Sequence, residues 1–526
     1  MKWLTHLRSA SVFLAISSVV LAGNDPQRLT AADAATGQGF GSGVDISGDV
    51  LVVGAPGDGD LGAGAGAVYV FERQAGAWVQ VLKITAPDGA AGHNFGSDVA
   101  LDGALLAVAA RGRVQGPITG GVYIYSLVGS SWVYDTVIVP PLASPNILHE
   151  EFALNVEVSG QRVAVRGYYW GEFGYLHGRF HVYSYQGTWN REFHVDHYAM
   201  RRMGFDGDTL IPGDTASHGS ILQRGYVHVY DKDVPGGNWS FAGTYHGDSQ
   251  PGRRDHFGAA IAVDDDAKRF AVAVPSDTED SSAVYFFRRN AGQWEREARV
   301  SPVNAGGIWG VESSLALSGE WMLAAWGSGV LVFRYDGAEW AEDHLLSRPP
   351  GADLFGAAVR ADESTAAVGA VGYDGVAPDI GAVFVYELDP PVTRYCSSTI
   401  NSSGQAARID VSGTTSIMAN DMVLTVTHCP VGTFGLFFYG QQAANFPLGD
   451  GRLCVSPFAP GLFRIPPTVQ VDLNGRATLA LDFLALPGAG QIQGGDTWNF
   501  QCWFRDSAPG GSGSNLSDAI RVIFCP

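Results

Sequence analysis

Lysine is nearly absent, with Lys2, Lys83, Lys232 and Lys268 the only four in a chain of 526 residues. Acidic residues number 53 against 33 basic ones, a formal charge of −20, and no basic cluster interrupts the acidity. A phosphate backbone would be repelled, so nucleic-acid binding is excluded. Charged residues of both signs are scarce at 16%, where an average globular chain has ~25%. Cysteine is missing from the first 395 positions: all five, Cys396, Cys429, Cys454, Cys502 and Cys525, lie beyond them. No CxxC pair occurs, which argues against a zinc site. Also missing is an apolar run of the ~20 residues that span a bilayer, so no transmembrane segment is expected. The longest such run, from Ala10 to Ala22, follows Lys2 and Arg8 and ends on small residues, the pattern of a secretory signal peptide over residues 1–22. Export makes disulfides available. Two bridges and a leftover thiol can be drawn in roughly 15 ways, so the connectivity stays open.

What the chain has in quantity is glycine, 69 residues, with 46% hydrophobic and 11% aromatic residues. That composition describes buried strands joined by turns, and it supplies the apolar surface that a disordered chain lacks. The strands come in a repeat. From Phe40 the chain reads FGSGVDISGDVLVVGAP, a Gly-rich loop, GAVYVF, a turn and WVQVLKI, and the same order returns from Phe95, Phe152, about Ala199, Phe257, Trp309 and Phe355. Seven units of about 50 residues result, each with four short apolar or alternating runs divided by turn dipeptides such as Ser47-Gly48 and Ser159-Gly160. Sheets that are apolar on both faces must pack face to face, and a radial arrangement leaves no long open edge. The expectation is an all-β chain with a seven-bladed β-propeller over residues 23–390.

Closure is written into the two ends. The seventh unit stops after its third strand, near Glu387-Leu388-Asp389-Pro390-Pro391, whereas RLTAADAATGQGFG from Arg28 matches KITAPDGAAGHNFG from Lys83, the tail of a complete unit. The N-terminal segment is therefore expected to supply the missing fourth strand, around Arg28 to Ala31 against Ala382 to Glu387. Six tryptophans, Trp78, Trp132, Trp189, Trp239, Trp294 and Trp340, open the fourth strand of six units and are expected to pack between blades.

The motifs Phe40-Gly41 and Gly54-Ala55-Pro56 resemble the FG-GAP repeats of integrin alpha-chain propellers, and the resemblance covers residues 26–390 with erosion in the third, fourth and sixth units. It implies a β-propeller that meets its partner on one face. In that family calcium sits in a DxDxDG-type loop between the first two strands of some blades, where converging oxygens can wrap the ion. This sequence has tight Ser-Gly or Asp-Gly turns there instead. Its one acidic run at that place, Asp264-Asp265-Asp266, lacks the glycine, so no cofactor or metal is expected.

No P-loop, HExxH or GxSxG motif is present, and no acid/base pair stands out among the carboxylates, so no catalytic residue is nominated. One segment departs from the repeat. Where the first unit has a bland loop, the third has Arg166 to Gly178, dense in Tyr168, Tyr169, Trp170, Phe173, Tyr175 and His177. Loops carry function more often than strands, and flat rings with polar edges suit sugars and peptide side chains. These six residues are the candidate ligand-binding set; the alternative is a plug folded over the mouth of the ring. After a linker at 391–394, residues 395–526 read as a small β-sandwich holding all five cysteines, and they resemble a C-terminal module of secreted bacterial proteins. The expected role is a secreted, extracellular or cell-surface adhesion protein that binds a glycan or protein ligand. The alternatives are an extracellular polysaccharide lyase or hydrolase and a structural cell-envelope protein.

Overall fold

The computed structural model describes residues 26–524 except 75, 116–117, 141–149, 171–175, 199, 201, 215–224, 233–236, 249–255, 265–267, 276–281, 303–313, 327–328, 336, 389–391, 413–414, 416, 418–419, 421, 459–460, 488–489, 494–495 and 508–510. The expected signal segment 1–22 and the side chains of Phe173, Tyr175, Asp265 and Asp266 lie outside the described residues. Two compact units divide the chain: Pro26–Leu388, and the part from Asp389 onward.

The first unit is a ring of seven four-stranded antiparallel sheets. Blade one consists of Val44–Ser47, Val50–Ala55, Ala67–Gln74 and Ala77–Thr85, in sequence order from the centre outward. Blades two to six repeat this plan. In blade seven the strands Ala352–Asp362, Thr365–Tyr373 and Ala382–Glu387 come from the end of the unit, and the outermost strand is Gln27–Leu29 from its beginning. Arg28 lies opposite Phe384 in that antiparallel pairing, as the matching ends of the sequence predict. Blades two and three are further joined by a short parallel pairing of Glu150 and Glu151 with Ile118 and Thr119.

The core is not one mass but a set of seven apolar clusters, one at each contact between neighbouring blades. The cluster between blades seven and one, with Leu29, Phe40, Leu51, Trp78, Val383 and Val385, is the closing member of the series. The tryptophans pack in these clusters, and four of the six also carry a polar link that the sequence does not announce. Trp189 donates its indole N–H to Asp135 of the preceding blade at 2.9 Å, Trp239 to Glu192 at 3.1 Å, Trp294 to Asp231 at 3.0 Å and Trp340 to Glu297 at 3.1 Å. A buried indole needs such an acceptor.

The Phe-Gly pair marks where a blade begins against its predecessor. Gly96 adopts φ 83°, and a Cβ on it would lie 2.4 Å from the carbonyl oxygen of Ala67 in blade one. Blade three has Ala153 at this position, held at φ 60°. Left-handed backbone is costly for a residue with a Cβ, so Ala153→Gly is expected to stabilise the propeller by about 1 kcal/mol. Chemical denaturation would register this as a raised midpoint at an unchanged slope.

The second unit is a β-sandwich. One sheet runs in the order Val392–Tyr395, Ser514–Ile523, Thr497–Arg505, Phe434–Gly440, Phe463–Gln470, and a three-stranded sheet of Arg408–Ser412, Val423–Thr427 and Ala477–Ala480 faces it. Phe437, Trp498, Phe500 and Phe524 fill the space between. Cys396 and Cys454 form a disulfide, while Cys429 and Cys502 are buried thiols. Burial pushes the Cys429 thiol up to about 12, so it is protonated at neutral pH.

Candidate functional site

Successive strands of a blade reverse, so the connections between second and third strands emerge on one rim and the turns between first and second strands on the other. The blade-three segment singled out in the sequence stands on the first of these rims. Its described part is not an irregular loop. Tyr168, Tyr169 and Trp170 extend the second strand, Arg162–Trp170, and pair across with Gly178, His177 and Leu176 of the third strand, Leu176–Tyr185. Tyr and Trp favour extended backbone, and directly opposed rings reinforce it.

Within this hairpin the Tyr169 and His177 rings stack with centroids 5.0 Å apart and planes 13° from parallel. The Arg179 guanidinium lies 4.2 Å over Tyr169. Arg179 is itself fixed by a two-pronged bond to Asp196, 2.8 and 2.9 Å, and by Glu150 at 3.0 Å. Arg179 is thus held as a rigid support, and one face of Tyr169 is already covered. Trp170, at the end of the strand, is 43% exposed. Tyr168 and His177 are half-buried. Of the six candidate residues, then, four are brought together on one hairpin, and Phe173 and Tyr175 lie outside the described residues.

On the same rim, blade one gathers a charge cluster. Lys83 donates from Nζ to Asp33 at 2.6 Å, to Asp58 at 2.8 Å and to Asp60 at 2.7 Å. The hydroxyl of Tyr69, read from the sequence as a packing residue, donates to Asp33 at 2.8 Å and lies 3.2 Å from Asp58. Burial works against the Lys83 charge, yet the three carboxylates raise its pKa and keep it protonated. The carboxylate oxygens lie within 4.8 Å of one another, a set able to hold a metal, but the ammonium fills the centre. Lys83→Met would leave the buried Asp58 carboxylate without its cation, at an expected loss of roughly 3 kcal/mol. Millimolar calcium should restore part of the melting temperature of this variant and leave that of the wild type unmoved; equal responses would contradict the assignment.

The turns on the opposite rim have a structural use that their sequence concealed. Ser47 of blade one accepts a hydrogen bond from the Gly103 amide of blade two at 3.0 Å, Asp102 from Gly160 at 2.6 Å, Asp264 from Gly319 at 2.9 Å, Ser318 from Glu363 at 3.0 Å and Asp362 from Gly48 at 2.5 Å. Five of the seven turns are stapled in this way to the next blade. Asp264, the first residue of the acidic run weighed for calcium, is buried in this collar.

The central channel runs between the rims, lined by the first strands of all seven blades. At its collar-side end Asp45 sits beside Arg360, which also reaches Glu157 at 3.3 Å. Burial pushes Asp45 up to about 7, with Glu157 adding to the shift and Arg360 opposing it. The other end is a cavity of about 380 Å³ whose wall includes Arg111, Arg166 and Arg202, none of which the sequence marked as a site residue.

The FG-GAP repeat family matches residues 24–71, which hold the closing strand and the first three strands of blade one, and residues 78–125, which hold the fourth strand of blade one and most of the first three strands of blade two. No curated protein matches the chain. Among solved structures, the Dos1 propeller is 13% identical with a TM-score of 0.39, covering 70% of this chain and 88% of its own. The β-propeller domain of the Trilobed protease from Pyrococcus furiosus is 8% identical at TM-score 0.40, covering 68% and 95%. An acylaminoacyl peptidase from Pyrococcus horikoshii is 9% identical at TM-score 0.40, covering 73% of this chain and 57% of that one. The chain thus carries FG-GAP repeats at the start of a β-propeller.

Proposed function

We propose that the chain is a secreted or cell-surface binding protein whose ligand platform is the propeller rim carrying the second-to-third-strand connections. The observation that supports this reading is the blade-three hairpin. It presents Trp170 at 43% exposure beside a Tyr169 held in place by His177 and Arg179. An aromatic ring on a rigid support loses little conformational freedom on contact, which is what makes Trp and Tyr effective at binding hot spots. The ligand in this reading is an extracellular glycan or a protein segment, recognised by stacking and by the polar edges of the rings. No residue is assigned a catalytic role.

A glycan and peptide array probed with the wild type and with Trp170→Ala tests it. The variant should lose at least about tenfold in affinity for whatever the wild type binds, at an unchanged melting temperature because Trp170 is outside the apolar clusters. Equal binding by the two proteins would remove the hairpin from the site.

A further inference from the structure

We infer that the mouth of the central channel, on the rim of the second-to-third-strand connections, binds a small oxyanion, a carboxylate, sulfate or phosphate group, between Arg111, Arg166 and Arg202. This site is separate from the stacking surface of the blade-three hairpin and does not depend on it.

Three arginines from three consecutive blades line one cavity of about 380 Å³, whose wall also carries Arg360 and the carboxylates of Asp98 and Glu157. In a chain with 33 basic residues against 53 acidic ones, their meeting there is a local reversal of charge. Two of them are oriented by the fold. Arg111 donates from Nη2 to the carbonyl of Leu154 in blade three at 2.7 Å, and Arg202 from Nε to the carbonyl of Ala259 in blade five at 2.6 Å. The Arg111 bond uses one of its five N–H donors and neutralises no charge.

Arg166 lies between them, and among the described residues no hydrogen bond or ion pair is made to its guanidinium. Of the two carboxylates on this wall, Asp98 accepts through Oδ2 from Asn155 Nδ2 at 2.8 Å and from the Val156 amide at 3.0 Å. The other, Glu157, is paired with Arg360 of the same wall at 3.3 Å. Burial, followed by repulsion from Arg202 and Arg111, pushes Arg166 down to about 9, and Asp98 and Tyr168 only partly oppose this. An arginine so placed is destabilising until an anion joins it. Charge-assisted N–H···O bonds from planar guanidinium forks are the usual means of holding carboxylate, sulfate and phosphate groups.

The net charge of −20 does not prevent this. At physiological ionic strength the screening length is ~8 Å, so carboxylates on the outer surface are largely silent at the channel mouth while the three guanidinium groups act in contact.

The test uses the full chain at constant ionic strength, with inorganic phosphate, sulfate and glucuronate as probes and chloride as the reference, followed by thermal melting and calorimetric titration. We expect one saturable site for at least one probe, and the ranking of the three distinguishes a phosphate, a sulfate and a carboxylate ligand. Arg166→Gln should weaken that site by about tenfold or more while melting no lower than the wild type in chloride, since it removes an unpaired charge. Should Arg166→Gln fail to fold, Arg111→Gln serves as the second variant, because Pro56 holds the matching motif place in blade one and shows that the fold does not need a cation there; it too should bind more weakly. Trp170→Ala should bind the probe as the wild type does, which separates this site from the hairpin. No saturable response to any probe above chloride, or undiminished binding by the folded arginine variant, would overturn the inference.

Discussion

A chain lacking residues 26–32 will melt far below the full-length protein, because that segment is the strand that closes the ring. Gln27–Leu29 fills the outer edge of blade seven, and its removal uncovers Val383, Phe384 and Val385 at the middle of the strand Ala382–Glu387. The loss extends beyond the sheet. Gln27 bonds the Trp78 backbone of blade one through both ends of its amide, at 2.7 and 2.8 Å, and Arg28 donates to the Tyr373 hydroxyl of blade seven at 2.5 Å. Leu29 and Ala31 are both buried in the cluster between blades seven and one. Burying Leu29 contributes about 2 kcal/mol, and each hydrogen bond ~1 kcal/mol, so the deletion should cost at least about 5 kcal/mol. A melting temperature within a few degrees of the wild type would show that the ring does not depend on this closure.

Gly66→Val is the substitution with the largest expected effect inside a blade. Gly66 precedes the third strand of blade one at φ 88°, and a Cβ there would come 2.1 Å from the carbonyl oxygen of Phe95 in blade two. Both atoms met are backbone, so neither can turn aside. The left-handed conformation costs a β-branched residue roughly 1–2 kcal/mol, and forced separation of the two blades a further 1–3 kcal/mol or so. A loss of about 4 kcal/mol in denaturant unfolding is expected, whereas Gly59→Ala, in open space on the neighbouring loop, should change little. The same contact recurs at Gly120 with Phe152, Gly225 with Phe257 and Gly381 with Phe40, which makes it a property of the ring rather than of one blade.

The blade order, the seven units and the closing strand were legible because the repeat is a repeat of packing. Phe40, Phe95, Phe152 and Phe257 are fully buried at equivalent places, and the ends of the unit match because they complete one sheet. The blade-three segment was legible as an exception but misjudged in form. Its aromatic density suggested a loop, while the alternation through Arg166, Tyr168 and Trp170 is the period-two signal of a strand. Lys83 carried a signal in its rarity, being one of four lysines, but the three carboxylates around it come from two separate loops. The channel arginines could not have been found from spacing. Arg111 stands in the third place of a Gly-Ala-Pro motif, Arg166 in the first place of another, and Arg202 opens a first strand, so only closure of the ring brings them to one wall.

Hydrogen–deuterium exchange of the full chain, with and without the ligand that an array returns, tests the central claim that the rim of the second-to-third-strand connections is the binding platform. The account predicts protection concentrated in Arg162–Trp170 and Leu176–Tyr185 and in the neighbouring connections of that rim. Protection confined to the collar turns such as Ser47-Gly48, or to the C-terminal sandwich, would contradict it.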